Sequence, residues 1–216
     1  MKPFFASCAT VWMSSLVALA GNVSLVEFAS QVDGAVSSSI PSGSSFNPST
    51  GLGSLLLTFS GPGTHSGLLY VDHELSEADN GFENELGSSS GSPASGQSWE
   101  TDEPGFSSQP GDIFDNFLAG TLDGAVGKSS PDDVAMALGW EFILQPGELA
   151  RLTFLLSTDR PSGGFYLRQH DPDSGDDVYF TSSLSIRPTG VPDSDAGVPL
   201  MALGAIVLSA LVRRRG

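Results

Sequence analysis

The chain has 216 residues, a length typical of one or two domains. Its 25 acidic and 9 basic residues give a formal net charge of −16, and such a surface repels nucleic acid and anionic lipid headgroups. The single cysteine, Cys8, rules out a disulfide within the chain, so we expect an apolar core to hold the fold together.

Residues 1–20 have the layout of a secretory signal peptide. Lys2 is the only charge, an apolar stretch follows, and Ala18-Leu19-Ala20 forms a small-residue cleavage site before Gly21. A buried N-terminal helix is the alternative interpretation, and the run is short for a membrane-spanning helix. We expect signal peptidase to cut after Ala20. Residues 21–192 then carry 23 acidic and 5 basic residues, a net charge of −18.

Residues 21–187 are predicted to form one extracellular all-β domain. VSLVEF, LGSLLLTFS and HSGLLYVDHEL are the first three candidate strands. Ser/Gly/Pro-rich stretches at 37–49 and 87–98 are predicted loops. Residues 111–120 place their large apolar side chains at helical spacing, which predicts a short helix.

Four further strands follow from residue 134, each about ten residues after the last and separated by turn residues. The turn QPGE has Pro then Gly at its centre, as a type II turn requires. This spacing favours an antiparallel β-sandwich of the jelly-roll or immunoglobulin-like kind. Period-2 alternation predicts that one core is lined by Met136, Leu138, Trp140, Phe142, Leu152, Phe154, Leu156, Phe165, Leu167, Phe180 and Leu184.

Three motifs with possible chemistry are interpreted as structural. The G-x-S-x-G match at 87–91 lacks the flanking strand and helix that a serine nucleophile needs, so a flexible loop is expected. His65 and His73 would share one strand face, but two ligands are too few for zinc. We therefore expect both histidines to be polar residues on the surface of the strand. Trp99 to Glu103 combines a tryptophan with three acids, and a solvated loop is favoured over a sugar-binding or glycosidase site.

The densest acidic segment is DPDSGDD at 171–177. Alternating carboxylates in a glycine-containing loop suit calcium, which takes six to eight oxygen ligands, although the spacing differs from an EF-hand. A plain turn between strands is the alternative, because Asp, Pro, Ser and Gly favour turns. The candidate calcium ligands are Asp171, Asp173, Asp176 and Asp177, and the sequence predicts no other cofactor.

The last nineteen residues of the sequence, 198–216, are an uncharged run that ends in three arginines and a glycine. Residues 200–212 would form roughly 20 Å of helix, short for a bilayer core of about 30 Å, but snorkelling arginines extend its reach. We expect a transmembrane helix whose Arg213, Arg214 and Arg215 stay cytoplasmic as a stop-transfer signal. A buried core helix is the alternative, which the arginines and the polar linker at 188–197 disfavour.

A short motif, an apolar stretch and a basic cluster, in that order, resemble a PEP-CTERM sorting signal. The variant beginning Val-Pro-Asp-Ser-Gly matches best, with Asp195 here in place of its glycine and Pro199 as a second departure. The resemblance implies a Gram-negative-type bacterium and an exosortase that removes the tail from an inner-membrane precursor. The implied recognition residues are Val191, Pro192, Asp193 and Ser194.

The body also resembles exported β-sandwich domains of the same group, through stretches such as PDDVAMALGWEF and LQPGELARLTFLLS. This resemblance implies a fold and a location outside the inner membrane, and it supplies no active site. We therefore expect a non-enzymatic protein of the cell envelope or extracellular matrix. A polysaccharide-binding module at the cell surface is the alternative, and a glycoside hydrolase is the weaker one.

Overall fold

The computed structural model describes residues 23–76, 84–105, 111–127 and 130–189. Within these ranges the chain forms eleven strands and one short helix. In chain order they are β1 (Val23–Val32), β2 (Ala35–Ser37), β3 (Ser45–Phe46), β4 (Gly53–Ser60), β5 (Gly63–Leu75), β6 (Leu86–Ser90), β7 (Gln97–Asp102), α1 (Ile113–Ala119), β8 (Ala135–Leu144), β9 (Glu148–Ser157), β10 (Tyr166–His170) and β11 (Asp177–Pro188).

The strands form two antiparallel sheets that pack face to face. Sheet I has the order β2-β1-β5-β8-β7, and sheet II has the order β3-β4-β9-β11-β10-β6. The prediction of an all-β antiparallel sandwich with a short helix is confirmed for the body of the chain. Both sheets bury one face against the other, which is why their strands alternate large apolar and smaller or polar residues.

One apolar core lies between the sheets, and the predicted period-2 positions supply much of it. Nine of the eleven predicted side chains are buried there, Phe154, Leu167 and Phe180 among them. Trp140 and Leu184 are only partly buried and pack against the edge of this core. At the edge, the indole nitrogen of Trp140 donates a hydrogen bond to Ser182 Oγ at 2.8 Å.

The predicted QPGE turn joins β8 to β9. Gly147 has φ +83°, which an L-residue rarely adopts, and the Glu148 amide donates to the Gln145 carbonyl at 3.1 Å. Glycine is therefore required at the third position of this turn. The turn sets the β8 and β9 side chains in the phase that turns Phe142 and Leu152 into the core.

The prediction of a loop over 87–98 is wrong at both ends, because β6 covers residues 87–90 and β7 begins at Gln97, whereas residues 91–96 do connect the two strands as a loop. Ser88 and Ser90 pair with Arg168 and Tyr166 on β10, so tertiary pairing overrides the weak strand preference of serine and glycine. The G-x-S-x-G segment thus lies mostly on an edge strand. At Gly87 a Cβ would lie 2.6 Å from Thr101 Oγ1, so the close approach of β7 explains that glycine.

Helix α1 covers the outer face of sheet I. Ile113 and Phe117 are buried in a second apolar cluster with Leu68, Tyr70 and Ala137 of the sheet. The Gln31 side chain on β1 donates to the carbonyl oxygens of Phe117 and Leu118, at 2.9 and 3.1 Å. Both the packing and these bonds hold the end of the helix against the sheet.

Both ends of the chain lie outside the described residues. The predicted signal cleavage site at Ala18, Ala20 and Gly21, the sorting motif at 191–194 and Arg213, Arg214 and Arg215 therefore remain predictions from sequence. Across the four described ranges, the structure contains no helix with the length and apolar character needed to span a bilayer.

Candidate functional site

Many of the acidic side chains gather at one end of the sandwich, which we call the acidic end. Strands β5 and β7 finish there, β8 starts there, and Asp72 and Asp102 both pair with Ala135. The β10–β11 loop lies at the same end, because the Ser76 hydroxyl donates to Asp176 Oδ2 at 2.7 Å. The described acids of this end are Asp72, Glu74, Glu85, Asp102, Glu103, Asp132, Asp133, Asp171, Asp173, Asp176 and Asp177.

Glu85 and Gln169 join the two sheets at the acidic end. Glu85 Oε1 accepts a hydrogen bond from the Leu75 amide at 2.9 Å. Gln169 Nε2 donates to the His73 carbonyl at 2.6 Å and also to Glu85 Oε2. Burial raises the pKa of Glu85 to about 9, although both hydrogen bonds act in the opposite direction. These contacts tie β5 to β10, so we assign Glu85 and Gln169 a role in holding the sheets together.

The outer face of sheet I carries a second acidic group beside Tyr70. Glu27 on β1 pairs directly with Asp72 on β5. Asp72 is 2% exposed, and burial together with Asp133, Glu74 and Glu27 raises its pKa to about 8. The Tyr70 hydroxyl is fully buried, and burial and the neighbouring carboxylates raise its pKa as well. Strong perturbation of two adjacent groups is typical of a site that binds a cation or holds a proton.

A third acidic group lies where α1 begins. Oxygens of Glu100, Asp102 and Asp112 all lie within 4.8 Å of one another, the spacing of ligands around one metal ion. Glu100 has protein partners, since Asn116 Nδ2 donates to Glu100 Oε1 at 3.1 Å and the Asp123 amide donates to Oε2 at 3.0 Å. The Asp112 amide donates to Asp102 Oδ2 at 3.3 Å. These bonds fasten α1 and its following loop to β7.

The four aspartates predicted to bind calcium each have partners within the protein. Asp171 Oδ1 accepts bonds from the Asp173 amide at 2.8 Å and from Asn84 Nδ2 at 3.1 Å. Asp177 pairs with Arg168 at 2.6 Å and with His170 at 2.9 Å. Among the described residues these four aspartates do not form a metal-type group of converging oxygens. The Asp171 contacts are those of a turn stabilised by an aspartate side chain, and calcium binding there stays a prediction.

The two histidines of β5 share a strand face but lie about 26 Å apart along it. His65 Nδ1 contacts Asp33 Oδ2 at 2.9 Å, which raises the pKa of the imidazole. The prediction that His73 lies on the surface is wrong. Its ring is fully buried, because the inner face of β5 continues to Leu75. Burial lowers the pKa of His73 to about 4, so it is neutral at pH 7.

The segment from Trp99 to Glu103 is not the solvated loop that its composition predicts. Trp99 to Asp102 lie on β7, and Glu100 and Glu103 are buried. Trp99 packs its ring 5.5 Å from that of Phe165 at the edge of the core. The segment differs from the prediction because it pairs with β8 as a strand. Helix α1 and the loop that follows it cover this acid-rich strand.

An open groove of about 340 Å³ lies between β2 and β4. Serines, aliphatic side chains, a proline and Thr58 line it, and none of these lining residues is titratable. A general acid or base would have to come from elsewhere in the chain. The groove therefore lacks the paired carboxylates that a glycosidase needs.

Comparison with known proteins gives no further assignment, because no family model, curated protein or solved structure matches this chain.

Sequence reasoning missed the Glu27–Asp72 group, and only part of its signal is visible in the sequence. Tyr70, Asp72 and Glu74 alternate along LLYVDHEL, so their shared face follows from period 2. The β1 partner does not follow, because the pairing shifts between Leu25 and Glu27. A register shift of this kind depends on the packed sheet and leaves no local pattern.

Proposed function

We propose that this chain is an exported, non-enzymatic β-sandwich protein of the cell envelope or extracellular matrix. A signal peptide directs export, and an exosortase-type enzyme reads the tail of a precursor held in the inner membrane. The observation that carries the proposal is the order of three features in the sequence: the motif at 191–194, the uncharged run at 198–212 and the three arginines that follow. An acidic, cysteine-free body agrees with a soluble domain outside the cell.

The organisation of the body supports a structural role over the two alternatives. Its sheets close over a continuous apolar core, and the groove beside β2 has no titratable lining. The exposed large apolar side chains of the described ranges are all aliphatic, which disfavours an aromatic platform for sugar rings. Tyr166 and Tyr179 lie on the outer face of sheet II, but each is only 6% exposed, so they offer little stacking surface.

Processing of motif variants in a host that encodes an exosortase tests the proposal. The Pro192→Ala/Asp193→Ala variant should accumulate as a membrane-bound precursor, because the recognition residues are gone. The matched control is Pro172→Ala/Asp173→Ala, the same dipeptide in the exposed β10–β11 loop, which should be processed normally. Fractionation with immunoblotting reports both outcomes.

Replacing Arg213, Arg214 and Arg215 with serine tests the anchor separately. The variant should be retained less well in the inner membrane, since positive charge holds the cytoplasmic end of a short helix. Normal processing and release of the Pro192/Asp193 variant would contradict the sorting proposal and leave the tail as a simple anchor.

A further inference from the structure

Positive and negative charges lie on opposite sides of the sandwich. The described ranges contain four arginines and no lysine, and all four lie on sheet II or in its β9–β10 turn. Arg151, Arg168 and Arg187 point to the outer face, because they alternate with the core-facing residues of β9, β10 and β11. Asp177, which pairs with Arg168, is the one carboxylate at the outward positions of these three strands. Sheet II therefore presents a cationic outer face on a chain of net charge −16.

One end of this outer face carries exposed arginine and leucine side by side. Arg187 pairs with Leu149 and Arg151 pairs with Ser185, so the two arginines are diagonal neighbours about 7–8 Å apart on adjacent strands. Leu149 is 44% exposed, and Arg151 has two hydroxyl residues, Thr58 and Ser185, as its partners in the neighbouring strands. Arg151 is exposed and forms no ion pair within the described ranges. We call Leu149, Arg151 and Arg187 the arginine patch.

The opposite side of the sandwich is acidic. No strand of sheet I contains an arginine or a lysine. Helix α1 lies over the outer face of that sheet, and Asp115 stands opposite the buried residues Ile113 and Phe117 on the helix circumference, so it points to solvent. Leu118 is 46% exposed on the same helix, and Asp123 is exposed in the loop that follows. We call Asp115, Leu118 and Asp123 the α1 patch.

We infer that copies of this chain associate head to tail, with the α1 patch of one copy docked on the arginine patch of the next. Charge complementarity identifies the occupant, because each copy carries both the cationic surface and the anionic surface that fits it. Exposed leucines at both patches, Leu118 and Leu149, add apolar area that is buried in the same contact. An acidic polysaccharide would use the arginines but would leave Leu149 exposed, so the leucines favour the second copy.

The positions of the two patches determine the kind of assembly. They lie on opposite sides of the sandwich, so the contact is heterologous, and every dimer keeps one free patch of each kind to which further copies can add. The net negative charge of each copy opposes the association, so we expect it to be weak in dilute solution. The inference concerns the body alone and holds whether or not the tail is processed.

Sedimentation velocity of the full chain in a non-ionic detergent, at about 0.15 M salt, tests the inference. The sedimentation coefficient of the wild type should rise with protein concentration. Two variants, Arg151→Glu/Arg187→Glu and Asp115→Lys/Asp123→Lys, each reverse the charge of one patch. Each should weaken the association about ten-fold or more, because like charges then face each other in the contact.

A matched control separates the two patches from the net charge. The lysine variant makes the net charge less negative, so general repulsion alone would strengthen its association. Asp159→Lys/Asp173→Lys changes the net charge equally, at exposed positions in the loops that flank β10. This control should associate at least as strongly as the wild type.

An equimolar mixture of the two reversed variants tests the pairing itself. The mixture should associate about as strongly as the wild type, because the intact arginine patch of one variant meets the intact α1 patch of the other. A wild type that does not associate, reversed variants that keep its full association, or a mixture that stays dissociated would each overturn the inference. Binding of polygalacturonate that Arg151→Glu/Arg187→Glu abolishes, in a wild type that does not self-associate, would overturn it too and assign the arginine patch to an acidic polysaccharide.

Discussion

Truncating Phe117 to alanine should destabilise the protein far more than the same change at its neighbour Leu118. Phe117 is fully buried between α1 and sheet I, with its ring centroid 5.8 Å from that of Tyr70. Leu118 is 46% exposed on the same helix. Removal of a fully buried phenylalanine costs about 3–5 kcal/mol, whereas a surface change typically costs about 0.5 kcal/mol. The Gln31 bonds go to backbone carbonyls, so both variants keep them.

Urea unfolding followed by tryptophan fluorescence measures the difference directly. Trp99 and Trp140 lie in the body and report its unfolding. We expect Phe117→Ala to lower the unfolding midpoint with an unchanged m-value, since the surface exposed on unfolding hardly changes. Equal free energies of unfolding for the two variants would show that α1 does not dock on sheet I. The conclusion that α1 covers the outer face of sheet I at Tyr70 would then be wrong as well.

Three further changes test other parts of the fold. Trp140→Phe should cost about 0.5–1.5 kcal/mol in urea unfolding, because it removes the indole bond to Ser182 and spares most of the packing. Gly67→Ala should cost about 1–3 kcal/mol, since a Cβ there would lie 2.7 Å from both Leu152 and Phe59, whereas Gly163→Ala meets no atom within 4 Å and should be neutral. The pKa of Glu85 is raised to about 9 in the folded state from an ordinary value of 4.5, so its contribution to stability is complete below pH 4.5 and is lost as pH rises through 9. Glu85→Gln should therefore flatten the fall in Tm between pH 6 and 9, and an unchanged slope would contradict that assignment.

The predictable parts of the fold are those encoded by short-range patterns. Alternation from Met136 to Phe142 and the Pro146-Gly147 turn define β8, β9 and their phase without knowledge of other strands. The spacing of Ile113 and Phe117 predicts α1 in the same way. In each case the buried face and the backbone conformation depend on residues a few positions apart.

The parts that could not be predicted depend on distant strands. Ser88 and Ser90 form β6 only because β10 offers an edge to pair with. His73 is buried because β5 runs on to Leu75 beneath sheet II, and Glu27 meets Asp72 only through a bulge. The composition around these residues favours loops or solvent-exposed positions. Long-range pairing overrides that preference, and it also sets Glu27 opposite Asp72.

The intact mass and location of the mature protein test the central proposal most directly. Mass spectrometry of the form recovered outside the inner membrane should give a chain that begins near Gly21 and ends close to residues 191–194. Both ends follow from one measurement, since loss of residues 1–20 reports signal cleavage and loss of the basic tail reports sorting. A recovered chain that still begins at Met1, or one that is exported with Arg213, Arg214 and Arg215 in place, would contradict the proposal.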